Sequence, residues 1–262
     1  MDNRPIGVFD SGVGGLTVLK ELKEKLPNED YIYIGDTASF PYGSKSKETI
    51  IELSKKRIEN LIEMNAKTIV IACGTATSQA LEEMQRIFNI PIIGIINPTV
   101  NYLKEKNIKN IGIIATAGTI RSKGWQNHID KNITGANVFS KACPLLAPMA
   151  EEGWTENEIA RLTIHEYLKE MKNENLEALI LGCTHYPLFK KLIENELDKK
   201  IDIINTGEMV ASELKQYLIK NKLEKEIANK SNVDIYLTDT ECNFLNVAKK
   251  LLKNEEINIK KL

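Results

Sequence analysis

The sequence predicts an α/β protein of two similar units, pseudo-symmetric, with mostly parallel sheets flanked by helices. Two observations carry that expectation. Thr68-Ile69-Val70-Ile71-Ala72-Cys73 and Ala178-Leu179-Ile180-Leu181-Gly182-Cys183 are both apolar runs ending in cysteine, each followed by a threonine-containing turn and a helical pattern. Ile6-Gly7-Val8-Phe9-Asp10-Ser11 and Ile111-Gly112-Ile113-Ile114-Ala115-Thr116 repeat at nearly the same offset. Each unit therefore delivers one thiol, and two thiols on facing units suit a reaction with two mirror-related faces, as racemisation at carbon requires.

The elements follow in order. After the first run, Ile/Val/Leu-rich runs at 31–34, 68–72, 92–96, 111–115, 178–182, 201–204 and 233–237 read as buried strands. Longer amphipathic stretches separate them, which gives parallel sheets with helical cover. Asn97-Pro98 is a turn signal where the chain leaves the first unit. Thr155 with Glu158, and Asn205 with Glu208, have capping-box spacing ahead of the helical patterns Ile159-Leu162-Leu168-Met171 and Val210-Leu214-Leu218. Residues 205–262 carry no third copy of the repeat and go with the first unit. The expected domains are 1–97 plus 206–262, and 98–205.

Composition narrows the function classes. A chain of 262 residues can bury two sizeable cores. Lys+Arg 35 against Asp+Glu 36 leaves a net charge of -1, so no basic field points to nucleic acid or an anionic membrane. The apolar run Ile6 to Phe9 behind Met1-Asp2-Asn3-Arg4-Pro5 is too short for a signal core or a membrane span, and a cytoplasmic location is expected. The four cysteines form no C-x-x-C pair and, in a reducing compartment, no disulfide framework.

A strand that ends in cysteine and turns directly into a helix brings the sulfur near unpaired N–H groups and the positive helix end, which favours thiolate. Starting from about 8.5, a modest fall in pKa would make a basic thiolate accessible near neutral pH. The alternative is a buried cysteine acting as a small hydrophobe; the matched duplicate argues against it for Cys73 and Cys183. Cys143, before Pro144, and Cys242, within Thr240-Glu241-Cys242-Asn243-Phe244, read as structural. His185 lies two residues from Cys183 and can stabilise a thiolate or exchange protons with it, whereas His128 and His165 sit in helical patterns among charged residues. Cys183-Thr184-His185 lacks the further ligands a zinc site needs, so no metal is expected. Pro187 suits a first helical turn.

Asp10-Ser11-Gly12-Val13-Gly14-Gly15 follows the first strand without matching G-x-G-x-x-G, and Asp10 would repel a phosphate. Asp10 suits an amino group, and Ser11 with the loop N–H groups suits a carboxylate. Equally, Asp10 is read as the cap of the next helix. Phe40-Pro41-Tyr42-Gly43-Ser44 is either a second polar loop or a simple β-turn.

Asp10 to Thr17, Gly35-Asp36-Thr37 with Pro41-Tyr42-Gly43, Ala72-Cys73 with Thr75-Ala76, Cys143-Pro144-Leu145 with Glu151-Glu152-Gly153, and Gly182 to Leu188 together resemble the glutamate racemases of the aspartate/glutamate racemase family, collinearly from about residue 5 to about residue 215. The resemblance implies cofactor-independent interconversion of L- and D-glutamate, supplying D-glutamate for peptidoglycan, at a site in the cleft between two α/β domains. It makes Cys73 the base for the D-enantiomer and Cys183 the base for the L-enantiomer. Asp10 would assist Cys73 and His185 would assist Cys183, with Glu151 a nearby acidic residue. Ser11, Tyr42, Gly43, Thr75, Thr184 and His185 fall on its substrate-contact positions, as do Asp10 and Gly74. Glutamate is the implied small-molecule partner; neither nucleic acid nor membrane is expected, and a homodimer is, since small α/β enzymes commonly form symmetric dimers.

Three positions depart from the family pattern: Gly74 where asparagine is usual, Asn97 where glutamate is common, and Asn205 where aspartate is. Gly74 keeps a backbone N–H and loses a side-chain donor, so Gly74→Asn is expected to restore about ten- to a hundredfold in affinity or kcat/KM unless the pocket has adapted to glycine. The rival readings are a racemase for another acidic amino acid such as aspartate, a non-catalytic binder of acidic metabolites, and a cysteine hydrolase using Cys183 and His185, which leaves Cys73 unexplained.

Overall fold

The computed structural model describes residues 1–197, 201–226, 231–240, 244–252 and 258–262. Two separate sheets form, and every described strand pairing in them is parallel. The first half runs β1 (Ile6–Asp10), α1 (Leu16–Lys25), β2 (Tyr31–Gly35), α2 (Lys47–Glu63), β3 (Thr68–Ile71), α3 (Gly74–Ile87), β4 (Ile92–Gly94) and α4 (Ile96–Glu105). The second runs β5 (Asn110–Ala115), α5 (Ala117–Ser122), α6 (Gly124–Asn132), β6 (Asn137–Ala142), α7 (Leu146–Glu151), α8 (Glu158–Leu168), β7 (Ala178–Leu181), α9 (Lys190–Glu196) and β8 (Asp202–Asn205). The chain then continues through α10 (Thr206–Asn221), β9 (Val233–Leu237), α11 (Phe244–Leu251) and β10 (Asn258–Lys261).

The sheet orders are β10-β9-β2-β1-β3-β4 and β6-β5-β7-β8. Without the two strands that the C-terminal segment adds at the β2 edge, the first order is the second one repeated. The repeated sequences therefore occupy equivalent strands: β1 matches β5, and β3 matches β7. In both sheets the chain winds one way from the first strand of the repeat and the other way from the third. Their carboxyl ends flank a switch point, the place where open α/β sheets bind ligands.

Side-chain alternation explains how the two halves share a core. Ile6 and Val8, Val70 and Ala72, Ile111 and Ile113, and Ala178 and Ile180 point into one apolar cluster that also takes residues of α1, α4, α6 and α10. The intervening Phe9, Ile69 and Ile71 pack into a cluster of the first half, and Ile114, Leu179 and Leu181 into one of the second. A period of two on strands buried on both faces gives this partition.

Three local expectations need correction. Ile95 and Ile96 do not extend β4: the strand stops at Gly94, and Asn97-Pro98 lies in the first turn of α4 rather than in a turn between units. Proline is tolerated there because first-turn N–H groups have no intrahelical partner. Thr155 is buried and does not cap α8; Asn157 does, accepting from the Ala160 N–H at 2.9 Å. Asn205 does cap α10, through the Gly207 N–H at 3.0 Å. The half-exposed β6 and the polar β10 lack the apolar runs that mark the other strands. Among the described residues no helix is long and apolar enough to cross a membrane. Cys242 lies outside the described residues.

Candidate active site

The loops after β1, β3, β5 and β7 converge between the sheets, and their side chains are buried: Asp10, Ser11, Cys73, Thr75, Cys183, Thr184 and His185. Cys73 is the N-cap of α3, its sulfur 3.5 Å from the Ala76 N–H, and its thiol donates to Ser11 Oγ at 3.5 Å. Burial, with the Asp10 carboxylate adding to it, pushes this thiol up to about 12. That reverses the expected fall. The helix N–H groups are present, but desolvation of a buried thiolate outweighs them.

Cys183 has a different setting. No α-helix starts directly after it; a turn at Thr184-His185 leads into a 3-10 turn, Tyr186–Phe189, with Pro187 at its start, and then α9. Its sulfur faces His185 Nδ1 at 3.6 Å, and His185 Nε2 meets Glu151 Oε1 at 2.7 Å. Burial works against a charged imidazole. The bonds to Cys183 and Glu151 outweigh it and hold His185 well above its usual range. The Phe40 ring tilts over the imidazole, centroids 5.6 Å apart.

The glycine loop joins the two settings. Asp10 is fully buried, accepts from the Gly12 N–H at 3.0 Å and from Thr184 Oγ1 at 3.2 Å, and is raised above the usual carboxylate range by burial. It does not cap α1, whose N-cap is Gly15; it organises the loop and reaches across to the other half. Glu151 Oε1 also accepts from the Val13 N–H at 3.1 Å, and Thr17 Oγ1 lies 2.8 Å from the Thr184 carbonyl oxygen. Gly12 and Gly14 make room for these contacts: a Cβ on Gly12 would lie 2.6 Å from Glu151 Oε1, and one on Gly14 2.5 Å from His185 Nδ1.

The Tyr42 hydroxyl donates to buried Asp36 at 2.6 Å, so this side chain is spent on holding its own loop. That loop is a 3-10 turn, Tyr42–Ser44, instead of a simple β-turn. Gly43 packs on Thr116, where a Cβ would lie 2.7 Å from the Thr116 Cβ. Two residues missing from the sequence expectation join the site: Thr116 and Thr119, whose hydroxyls lie 2.9 and 3.2 Å from Thr75 Oγ1. Thr116 is the repeat counterpart of Ser11, and that signal could have found it.

Gly74 is no vacancy. A Cβ there would stand 2.1 Å from the Gly182 carbonyl oxygen, so the space of a side chain is taken by the peptide before Cys183. Restoring asparagine would drive it into backbone, and the expected gain from Gly74→Asn is withdrawn. Cys143 is buried, its thiol pushed up to about 12 by burial, and its carbonyl accepts from Tyr186 Oη at 2.7 Å. His128 bonds the Gly124 carbonyl oxygen of its own helix, and His165 pairs with Glu196 at the surface. All three fit the structural roles expected of them.

Residues 6–214 match the family model described as Asp/Glu/Hydantoin racemase. The chain is 42% identical over 251 residues to a glutamate racemase of Aquifex aeolicus, covering 95% of this chain and 94% of that one. With a glutamate racemase of Geobacter metallireducens it shares 39% over 250 residues, 95% and 93% of the two chains. The crystal structure of a Francisella tularensis glutamate racemase in complex with D-glutamate superposes with a TM-score of 0.93 at 38% identity, covering 100% of this chain and 98% of that one.

Proposed function

The chain belongs to the Asp/Glu/hydantoin racemase family, an amino-acid isomerase family, and we propose that it interconverts L- and D-glutamate by two-base proton transfer between Cys73 and Cys183. The observation that carries this is the pair of buried cysteines that follow equivalent strands of two repeated sheets, on loops bonded to one another across the halves. The glutamate racemase relatives at about 40% identity favour glutamate over aspartate as substrate.

The reaction runs as follows. The thiolate of Cys183 takes the Cα proton of L-glutamate, the electron pair of the broken C–H bond stays on carbon as a carbanion delocalised into the α-carboxylate, and the Cys73 thiol delivers a proton to the opposite face. D-glutamate leaves Cys183 as thiol and Cys73 as thiolate, ready for the reverse reaction. A Cα–H is a very weak acid, so the dry site and its oriented donors must stabilise the carbanion. His185, raised by its bonds to Cys183 and Glu151, places a cationic partner beside Cys183. Asp10 disfavours one at Cys73 and keeps it a proton donor. Thr75, Thr116, Thr119, Thr184 and Ser11 offer hydroxyls for the substrate carboxylates, and Asp10 an acceptor for the ammonium. A D-glutamate supply for cell-wall synthesis is the physiological role consistent with this chemistry, in the cytoplasm and without cofactor or metal.

Proton NMR in deuterated water, on glutamate and aspartate separately, tests the proposal. Loss of the Cα–H signal together with inversion is expected for glutamate. Faster turnover of aspartate, binding without exchange, or no exchange with either would overturn it.

A further inference from the structure

The two thiol-bearing turns meet backbone to backbone. Gly74 and Gly182 are the sequence neighbours of Cys73 and Cys183, and a Cβ on Gly74 would stand 2.1 Å from the Gly182 carbonyl oxygen. A second contact of this kind crosses between the halves in the opposite sense. A Cβ on Gly118, in α5, would stand 2.7 Å from the Gly43 carbonyl oxygen. Neither glycine has a positive φ, so conformational freedom does not explain them; room does. Real Cβ atoms essentially never come within 3.0 Å of another heavy atom, and the obstacle here is a peptide that cannot swing aside.

The geometry points to Gly74 and Gly118 as positioning residues that set how closely the two halves approach, and thereby the separation of Cys73 and Cys183. This rests on the two-thiol function proposed above. Around the glycines, contacts between the halves hold the site shut: Thr184 to Asp10, Thr17 to the Thr184 carbonyl, Glu151 to the Val13 N–H, and Thr75 to Thr116. These bonds tolerate small shifts. The glycine contacts do not, and so they fix the limit of closure.

The consequence is specific to a reaction with two faces. Removing the Cα proton needs one thiol, whereas inversion needs both within reach of the same carbon, about 3–3.5 Å from the reacting atom. A methyl at Gly74 or Gly118 would hold the halves apart by a fraction of an ångström to about one, a misplacement that can cost about a hundredfold. The carbanion would then be reprotonated more often by the thiol that formed it. In deuterated water that thiol exchanges to S–D and returns deuterium to the original face, giving exchange without inversion.

The experiment compares wild type, Gly74→Ala and Gly118→Ala with L- and D-glutamate in deuterated water, reading Cα–H loss by NMR and inversion by circular dichroism. Racemisation is expected to fall about ten- to a hundredfold, with the ratio of exchange without inversion to racemisation rising severalfold from either enantiomer. Without substrate, Cys73 and Cys183 should be alkylated faster by iodoacetamide than in wild type, as closure relaxes. A folded Gly74→Ala enzyme racemising at the wild-type rate would overturn the inference. So would equal losses of exchange and inversion with alkylation unchanged, the signature of a merely structural glycine. Should Gly74→Ala fail to fold, Gly118→Ala, whose contact is the milder, decides by the same readouts. If the wild type itself leaves glutamate untouched, the proposed function falls, and the alkylation rates still decide whether the glycines set closure.

Discussion

Cys73 and Cys183 end equivalent strands of two sheets with the same repeated order, yet their surroundings are opposites. Cys73 sits at a helix N-terminus beside an acid, buried, its thiol pushed up to about 12. Cys183 sits before a 3-10 turn, 3.6 Å from an imidazole that its bonds to Cys183 and Glu151 hold well above its usual range against burial. Repetition of the fold thus duplicated where the sulfurs go and not what surrounds them. The two-base reaction proposed above draws on that difference, with Cys73 beside an acid as the proton donor and Cys183 beside His185 as the base for L-glutamate. The difference also shows that a helix N-terminus alone does not make a thiolate when burial is complete.

The hardest test of this pairing is to remove either member. Cys73→Ala and Cys183→Ala should each lower racemisation by about 10²- to 10⁴-fold or more, the range for loss of a general acid or base. Far-ultraviolet circular dichroism should stay unchanged. Substantial turnover by either variant would mean that one thiol suffices.

The asymmetry is tested next by His185→Asn. Because racemisation has an equilibrium constant of one, kcat/KM must fall equally in both directions, by about a hundredfold, whichever thiol is affected. The two faces are told apart by isotope effects. Abstraction by Cys183 should become more rate-limiting, so the primary deuterium effect at Cα should grow more with L-glutamate than with D-glutamate. Equal growth for both enantiomers would break the assignment of His185 to Cys183.

On the other face, Asp10→Asn should act on Cys73. Burial is the larger cause of its raised pKa and remains in the variant; the neighbouring negative charge is the next and is removed. The alkylation midpoint of Cys73 should therefore fall from about 12, staying above the ordinary thiol range, so that alkylation near pH 9 speeds up. A midpoint that rises or holds would show that Asp10 does not bear on this sulfur.

Much of this comparison was legible in the sequence, for a physical reason. Strands buried on both faces read as continuous apolar runs, so β1, β3, β5 and β7 stood out, and the cysteines at their ends with them. β6 and β10, polar or half-exposed, left no such trace. The His185 neighbour of Cys183 was legible from its spacing, and Asp10 came with the family resemblance; the contacts that tie these groups together were not, because they join residues far apart in sequence: Glu151 with Val13, and Thr184 with Asp10. Gly74 was misleading from sequence alone. A missing side chain reads as a lost contact until the Gly182 peptide is seen in its place.

The smallest expected effect lies away from both thiols and serves as their control. Asn205 caps α10, and its Nδ2 donates to Glu21 Oε1 at 3.1 Å and Glu208 Oε1 at 3.4 Å, joining two carboxylates from different elements. Glu21 is already raised, chiefly by partial burial and then by Glu208. Asn205→Asp turns a donor into a third negative charge and should destabilise by about 0.5–1 kcal/mol at neutral pH, the scale of a partly exposed charge pair. The sign with pH follows from the direction of the Glu21 shift. A carboxyl whose folded pKa is raised stabilises the fold while protonated, below its unfolded value, and loses that contribution as pH rises through the folded value. The deficit of Asn205→Asp in urea unfolding should accordingly shrink as pH is lowered through the raised Glu21 value toward about 4.5, while the alkylation rates of Cys73 and Cys183 at neutral pH stay at wild-type values. A deficit that grows on acidification would mean that Asn205 matters through its cap alone. A change in either thiol would mean that this end of β8 is coupled to the site after all.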